Sequence, residues 1–213
     1  MKFADLLIEP YNEEEAIKMI KFLNKIGYNI IGLPSKFIKS EGILKLSNNL
    51  GINIVERVIL TASNKEELFS LSKNVEKKAV LTVIPTNINM LRALGSIERV
   101  DLIRIPLMNN IKVDRSQRNL FRIRRSGAIE ISLKEVLYNS NNIILWRRLK
   151  SVLRNALNLG IRLVLVSDAY NIFELWHPKQ IISLFGSLYI ERNNVIEWLT
   201  VNPSFVISNR YKV

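Results

Sequence analysis

The chain has 213 residues, a formal net charge of +12 and no cysteine, so it can bury one core of ordinary domain size, while disulfides, thiolate metal sites and cysteine nucleophiles are excluded. No apolar run approaches the roughly 20 residues that cross a bilayer, and the opening MKFADLLIEP lacks the basic-then-apolar layout of a signal peptide. A soluble cytoplasmic protein of a single domain, residues 1–213, is expected.

Short β-branched or apolar runs recur at residues 3–8, 29–33, 54–60, 79–84, 102–105, 128–131 and 162–166. Between them lie segments of helical periodicity: 13–26, with Ala16, Ile17, Ile20 and Leu23 on one face, and 37–50, with Ile38, Ile43, Leu44 and Leu46. Gly27, Gly51 and Gly160 stand where a helix must stop before a new strand, and Asn12 and Asn64 precede acidic first turns, as helix starts require. Seven strands alternating with helices fit an open doubly wound sheet or a TIM-like (β/α) barrel. The regular spacing, and the absence of a glycine-rich phosphate turn after the first strand, predict the barrel. An eighth strand is expected at 205–207.

A barrel places its chemistry at the C-terminal ends of its strands, and there only Glu9 and Asp168 are ionisable. The chain owns one histidine, His177, too few for the converging ligands of a hydrolytic metal site. His177, beside Pro178, is read as a helix-start or packing residue. Asp5 lies on the first strand, where a polar residue paired at a strand end outweighs a site role. Glu130, mid-strand, is read as the counter-charge of Arg104 on the neighbouring strand, because a buried carboxylate needs a partner. No catalytic residue and no metal ligand are assigned.

The basic residues form the stronger pattern. The stretch from Arg99 to Arg162 holds 14 of the 31 Lys and Arg, opposed only by Asp101, Asp114, Glu130 and Glu135. Residues 1–98 carry 13 basic and 11 acidic groups, and residues 163–213 four of each, so the potential is local and points to a polyanion. A helix over 114–127 would align Arg115, Arg118, Arg122 and Arg125 on one face, with Arg124 beside them and no acidic residue after Asp114. A second helix, 143–159, buries Leu145, Leu149, Val152, Ala156 and Leu159 and stacks Arg147, Lys150 and Arg154 on another face, with Arg148 alongside. Guanidinium forks match phosphate oxygens, so these helices are expected to contact an RNA or DNA backbone, with Lys112 and Arg104 extending the surface.

At these residues the chain resembles ribonuclease P protein component 3, the barrel subunit of archaeal and eukaryotic ribonuclease P. The resemblance runs in order through Val100-Asp101-Leu102-Ile103-Arg104-Ile105-Pro106, Gly127-Ala128-Ile129-Glu130-Ile131-Ser132-Leu133, Leu163-Val164-Leu165-Val166-Ser167-Asp168-Ala169 and Thr200-Val201-Asn202-Pro203-Ser204-Phe205-Val206-Ile207. It departs from the family pattern at Asp168 and at Leu175-Trp176-His177-Pro178. The resemblance implies a barrel related to the polymerase and histidinol phosphatase superfamily but without that superfamily's metal site. It implies a protein that supports a catalytic RNA in removing the 5′ leader of precursor tRNA, with Mg²⁺ on the RNA and no cofactor on this chain. It also implies pairing with component 2 in a two-plus-two heterotetramer, indirect contact with precursor tRNA and no membrane role. Tyr170 or Trp176 could stack on a base. Two rivals stand beside it: a metal-dependent barrel phosphoesterase using Asp5, Glu9, Asp168 and His177, and a protein-binding scaffold without RNA contact.

Overall fold

The computed structural model describes residues 2–109, 111, 113–124 and 127–211. In chain order the elements are β1 (Phe3–Asp5), α1 (Glu13–Lys25), β2 (Tyr28–Pro34), α2 (Ser35–Ile38), α3 (Glu41–Leu50), β3 (Asn53–Ala62), α4 (Lys65–Ser72), β4 (Val80–Pro85), α5 (Ile88–Leu94), β5 (Leu102–Arg104), α6 (Arg115–Arg124), β6 (Ala128–Ser132), α7 (Leu133–Tyr138), α8 (Ile143–Leu159), β7 (Leu163–Val166), a 3₁₀ turn (Ile172–Glu174), α9 (Pro178–Ser187), α10 (Arg192–Leu199) and α11 (Val201–Tyr211).

The strands form one sheet in the order β1-β2-β3-β4-β5-β6-β7. Just past β1 and β7, Ile8 bridges Ala169 in parallel, with Asp168 N–H donating to the Leu7 carbonyl at 2.9 Å and Glu9 N–H to the Ala169 carbonyl at 2.7 Å. The first and last strand tracks therefore meet, and the fold is a seven-stranded TIM-like (β/α) barrel.

The expected eighth strand is not there: residues 205–207 lie in α11. Val201-Asn202-Pro203 opens that helix, and proline is tolerated in a first turn because its missing N–H has no intrahelical acceptor anyway. The helix expected over 37–50 is two, α2 and α3, parted where Ser40 turns extended and its hydroxyl accepts the Ile43 N–H at 3.2 Å.

Two compact units make up the chain, Met1–Arg57 with Leu165–Phe205, and Val58–Val164 with Val206–Val213. In the first, β1 pairs with β2 and β2 with β3, all parallel. The apolar stripe of α1, Ala16, Met19, Ile20 and Leu23, packs with Tyr28, Ile31 and Leu33 of β2 and with Ile43 of α3. Asn12 caps α1 by accepting the Glu15 N–H at 2.8 Å. Gly32 on β2 is required by the close approach of β1, since a Cβ there would lie 1.9 Å from the Leu6 carbonyl oxygen.

In the second unit, β4, β5 and β6 pair in parallel, with Leu102 opposite Thr82 and Ala128, and Arg104 opposite Glu130. The strands are buried on both faces and mostly apolar, as a helix-covered parallel sheet demands, with Thr82, Arg104, Glu130 and Ser132 as polar exceptions. Leu145, Leu149, Val152, Leu153 and Ala156 of α8 are buried, and Gly160, at φ 64°, ends that helix in the left-handed region. At the N-terminal end of β5, Asp101 accepts the Leu81 N–H at 2.9 Å and pairs with Arg99 and with Arg210 of α11, fastening that helix. Burial still holds the Asp101 carboxyl above its ordinary range.

Candidate nucleic-acid interface

The two units divide the charge sharply. Residues 1–57 and 165–205 carry 10 basic and 11 acidic groups, net −1, whereas residues 58–164 and 206–213 carry 21 basic and 8 acidic groups, net +13. A field of that size on one unit draws polyanions and leaves the other indifferent to them.

Within the basic unit, α8 presents the best-formed face. Arg147, Lys150 and Arg154 lie three to four residues apart and are exposed. The helix contains no Asp or Glu, and among the described residues none of the three makes an ion pair. Their neighbour Arg148 is turned inward and donates to the carbonyls of Leu107 (3.3 Å) and Met108. About two turns further on, Asn155 donates to the Val113 carbonyl at 3.0 Å. The chain between β5 and α6 is thus clamped onto α8 at both ends, which fixes the basic helix against the strand-end loop where barrels bind ligands.

The predicted arginine helix is α6, and Asp114 starts it by accepting the Ser116 N–H at 2.8 Å. Asp114 also pairs with Arg92 of α5 at 3.1 Å. Partial burial raises this carboxyl, but the Ser116 and Arg92 hydrogen bonds outweigh it and hold the group below its ordinary range. Arg115 and Arg118 are exposed. Lys112 and Arg125 lie outside the described residues, as do the side chains of Arg122 and Arg124.

Arg104 does not belong to this surface. It is 8 % exposed, its Nε donates to Glu130 at 2.8 Å, and its Nη2 lies 2.7 Å from the same oxygen. The parallel register sets Arg104 opposite Glu130, and Glu130, fully buried, takes up the guanidinium charge in the interior. The counter-charge reading of Glu130 holds, and the RNA role expected of Arg104 does not survive it.

Asp5, at the end of β1, is structural in what it touches. Asp5 is buried, and its Oδ1 accepts the N–H of Leu7 at 3.2 Å and that of Ser167 at 3.0 Å, joining the tracks of β1 and β7. Burial pushes its pKa up from 3.8 to about 6, with Asp168 adding to the rise and the Ser167 and Leu7 hydrogen bonds opposing it. Between those values the folded protein holds a proton that the unfolded chain has released. Stability from this group is therefore full below about pH 4 and is lost as pH rises through about 6, by about 3 kcal/mol at roughly 1.4 kcal/mol per unit. Urea unfolding from about pH 4.5 to 7 is expected to show this decline in the wild type and a flatter profile in Asp5→Asn; parallel profiles would refute it.

His177 caps α9. Its Nδ1 accepts the Lys179 N–H at 3.1 Å, while its own N–H donates to Gln180 at 2.9 Å. Among the described residues no group of three or more His, Asp and Glu is placed to hold a metal ion, and no helix is long and apolar enough to cross a membrane. Tyr170 stacks on Tyr11, ring centroids 5.3 Å apart, and the Trp176 carbonyl accepts the Tyr28 hydroxyl at 3.1 Å.

Residues 2–212 match the model of one protein family, RNase P subunit p30. The chain belongs to the RNase P subunit p30 family. Ribonuclease P protein component 3 of Aeropyrum pernix is 24% identical over 189 residues, covering 88% of each chain. The protein of the same name from Methanothermobacter thermautotrophicus is 23% identical over 226 residues, covering 98% of this chain and 90% of that one. A chain in a cryo-EM structure of archaeal ribonuclease P with mature tRNA shares the fold, with a TM-score of 0.79 at 17% identity over 97% of this chain and 90% of the other. In this member of the p30 family the basic face of α8 was legible in the sequence. The clamp formed by Arg148 and Asn155 was not, because a carbonyl acceptor on a distant loop leaves no mark on residue type.

Proposed function

We propose that this chain is a protein subunit of ribonuclease P that binds and supports the catalytic RNA as the 5′ leader of precursor tRNA is removed. The RNA performs the cleavage and holds the Mg²⁺ ions, and this chain supplies no catalytic group. Arg115 and Arg118 of α6, together with Arg147, Lys150 and Arg154 of α8, neutralise RNA phosphates and displace condensed counterions. Because the two helices are fixed to the barrel, the charges are ordered before the RNA arrives and contact follows RNA shape and backbone rather than sequence. Lys112, Arg122, Arg124 and Arg125, read from the sequence as RNA-binding, are part of the same proposal. Component 2 is the protein partner, in a heterotetramer, and the assembly works in the cytoplasm.

The observation that carries the RNA contact is the split of charge, net +13 on one unit against −1 on the other, with exposed basic side chains on α8 that no described acid neutralises. Reconstitution tests it: precursor-tRNA cleavage by the cognate RNA and component 2, with and without this chain. Stimulation at limiting Mg²⁺ is expected. No stimulation by the folded protein would sink the assignment and favour a phosphoesterase or a scaffold that meets only protein.

A further inference from the structure

The clamp between α8 and the loop after β5 leaves a cleft between its two fastenings. The cleft measures about 260 Å³ and is lined by Asn109, Ile111, Ile144, Arg147, Arg148, Ser151 and Val152. Its apolar lining is the buried Ile111 and Val152 with the exposed Ile144. Its rim is polar, with the amide of Asn109, the hydroxyl of Ser151 and the guanidinium of Arg147, all three exposed. Lys150 and Arg154 lie on the same helix, which bears no acid.

An apolar cavity in the most basic unit of the chain calls for an occupant that is flat and apolar in body, polar at its edge and joined to negative charge. We infer that the cleft takes one unstacked nucleobase from an unpaired position in the RNA. The base faces lie against Ile111, Ile144 and Val152. Asn109 and Ser151 meet the polar edge, the Arg147 plane covers the base, and Lys150 and Arg154 hold the flanking phosphates. Where bases are splayed from loops and bulges, proteins stack them on aromatic side chains or guanidinium planes and bond to the exposed edges; here the Arg147 guanidinium is the stacking plane and aliphatic side chains take the place of an aromatic one. Charge complementarity chooses RNA over protein here. An apolar side chain would fill the floor and leave the surrounding cations without partners.

This inference rests on the RNA reading above, and the experiment separates the two. Three RNA hairpins of nearly equal charge are compared with the full chain by fluorescence anisotropy: one with a single-nucleotide bulge, one with an abasic bulge and one fully paired. The wild type is expected to bind the bulged hairpin about tenfold more tightly than the abasic one, within the range that single base-stacking contacts supply. A 2-aminopurine at the bulge is expected to change its fluorescence on binding. Ser151→Trp fills the cleft from its rim and is expected to erase the tenfold preference while leaving affinity for the paired hairpin and its salt dependence unchanged. Asn109→Ala, which leaves the helix untouched, is expected to reduce the preference in part. Equal binding of bulged and abasic hairpins, with salt-dependent affinity intact, would overturn the base site and spare the RNA reading. Absence of salt-dependent binding to any hairpin would overturn the RNA reading itself. Ser151→Trp that leaves the RNA preferences alone but weakens binding of component 2 would overturn the base site in favour of a protein side chain.

Discussion

Reversing Arg147, Lys150 and Arg154 to Glu is expected to abolish stimulation of precursor-tRNA cleavage while the circular dichroism spectrum stays that of the wild type. All three side chains are exposed on α8, opposite the buried row of Leu145, Leu149, Val152 and Ala156, so the helix loses no packing. Each cation removed takes away one phosphate contact, and at about 0.7–0.9 per contact the plot of log affinity against log salt should flatten by roughly two to three. Binding to the RNA should weaken on the order of 10²-fold near physiological salt. The matched control is Lys21→Glu with Lys25→Glu and Lys45→Glu, three exposed lysines of the first unit, whose net charge of −1 predicts little change. A flat response to the α8 reversal, or equal losses from both triplets, would mean that the field is diffuse and that α8 is an ordinary solvated face.

What the sequence made legible follows from which forces act locally. Strand positions followed from β-branched runs, because a parallel sheet covered by helices needs strands apolar on both faces. Helix ends followed from Asn12, Asn64, Gly51 and Gly160, because caps act on atoms two to four residues away. The eighth strand failed because Phe205, Val206 and Ile207 are apolar at a spacing that suits either element, and three residues cannot separate the periods 2 and 3.6. The split of α2 from α3 turned on the Ser40 hydroxyl, a local signal overridden by the apolar periodicity on either side. Arg104 was misplaced for a different reason. A charge on a strand looks the same in sequence whether it faces solvent or a partner on the next strand, and only the register with Glu130 decides. The base cleft and its clamp were invisible, being made by residues about 40 positions apart in sequence.

That register carries the largest stability effect. Glu130→Ala is expected to cost about 3–5 kcal/mol, the range for removing one partner from a buried ion pair. Glu130 is fully buried and Arg104 is 8 % exposed, with Nε and Nη2 both directed at the same carboxylate oxygen. Deleting the carboxylate leaves a mostly buried guanidinium without the charge it faces across the register. At a urea dependence of about 2–3 kcal/mol/M the midpoint should fall by about 1–2 M. Arg104→Leu with Glu130→Leu is expected to recover most of the loss, because a buried pair exchanged for apolar groups removes both desolvation penalties together. Near-wild-type stability in the single variant would show that Arg104 reaches solvent once its partner is gone. Failure of the double variant to recover would show that the pair also fixes the register of β5 against β6. The same double variant separates fold from function: Arg104 lies inside the barrel, so a folded double variant should stimulate precursor-tRNA cleavage as the wild type does.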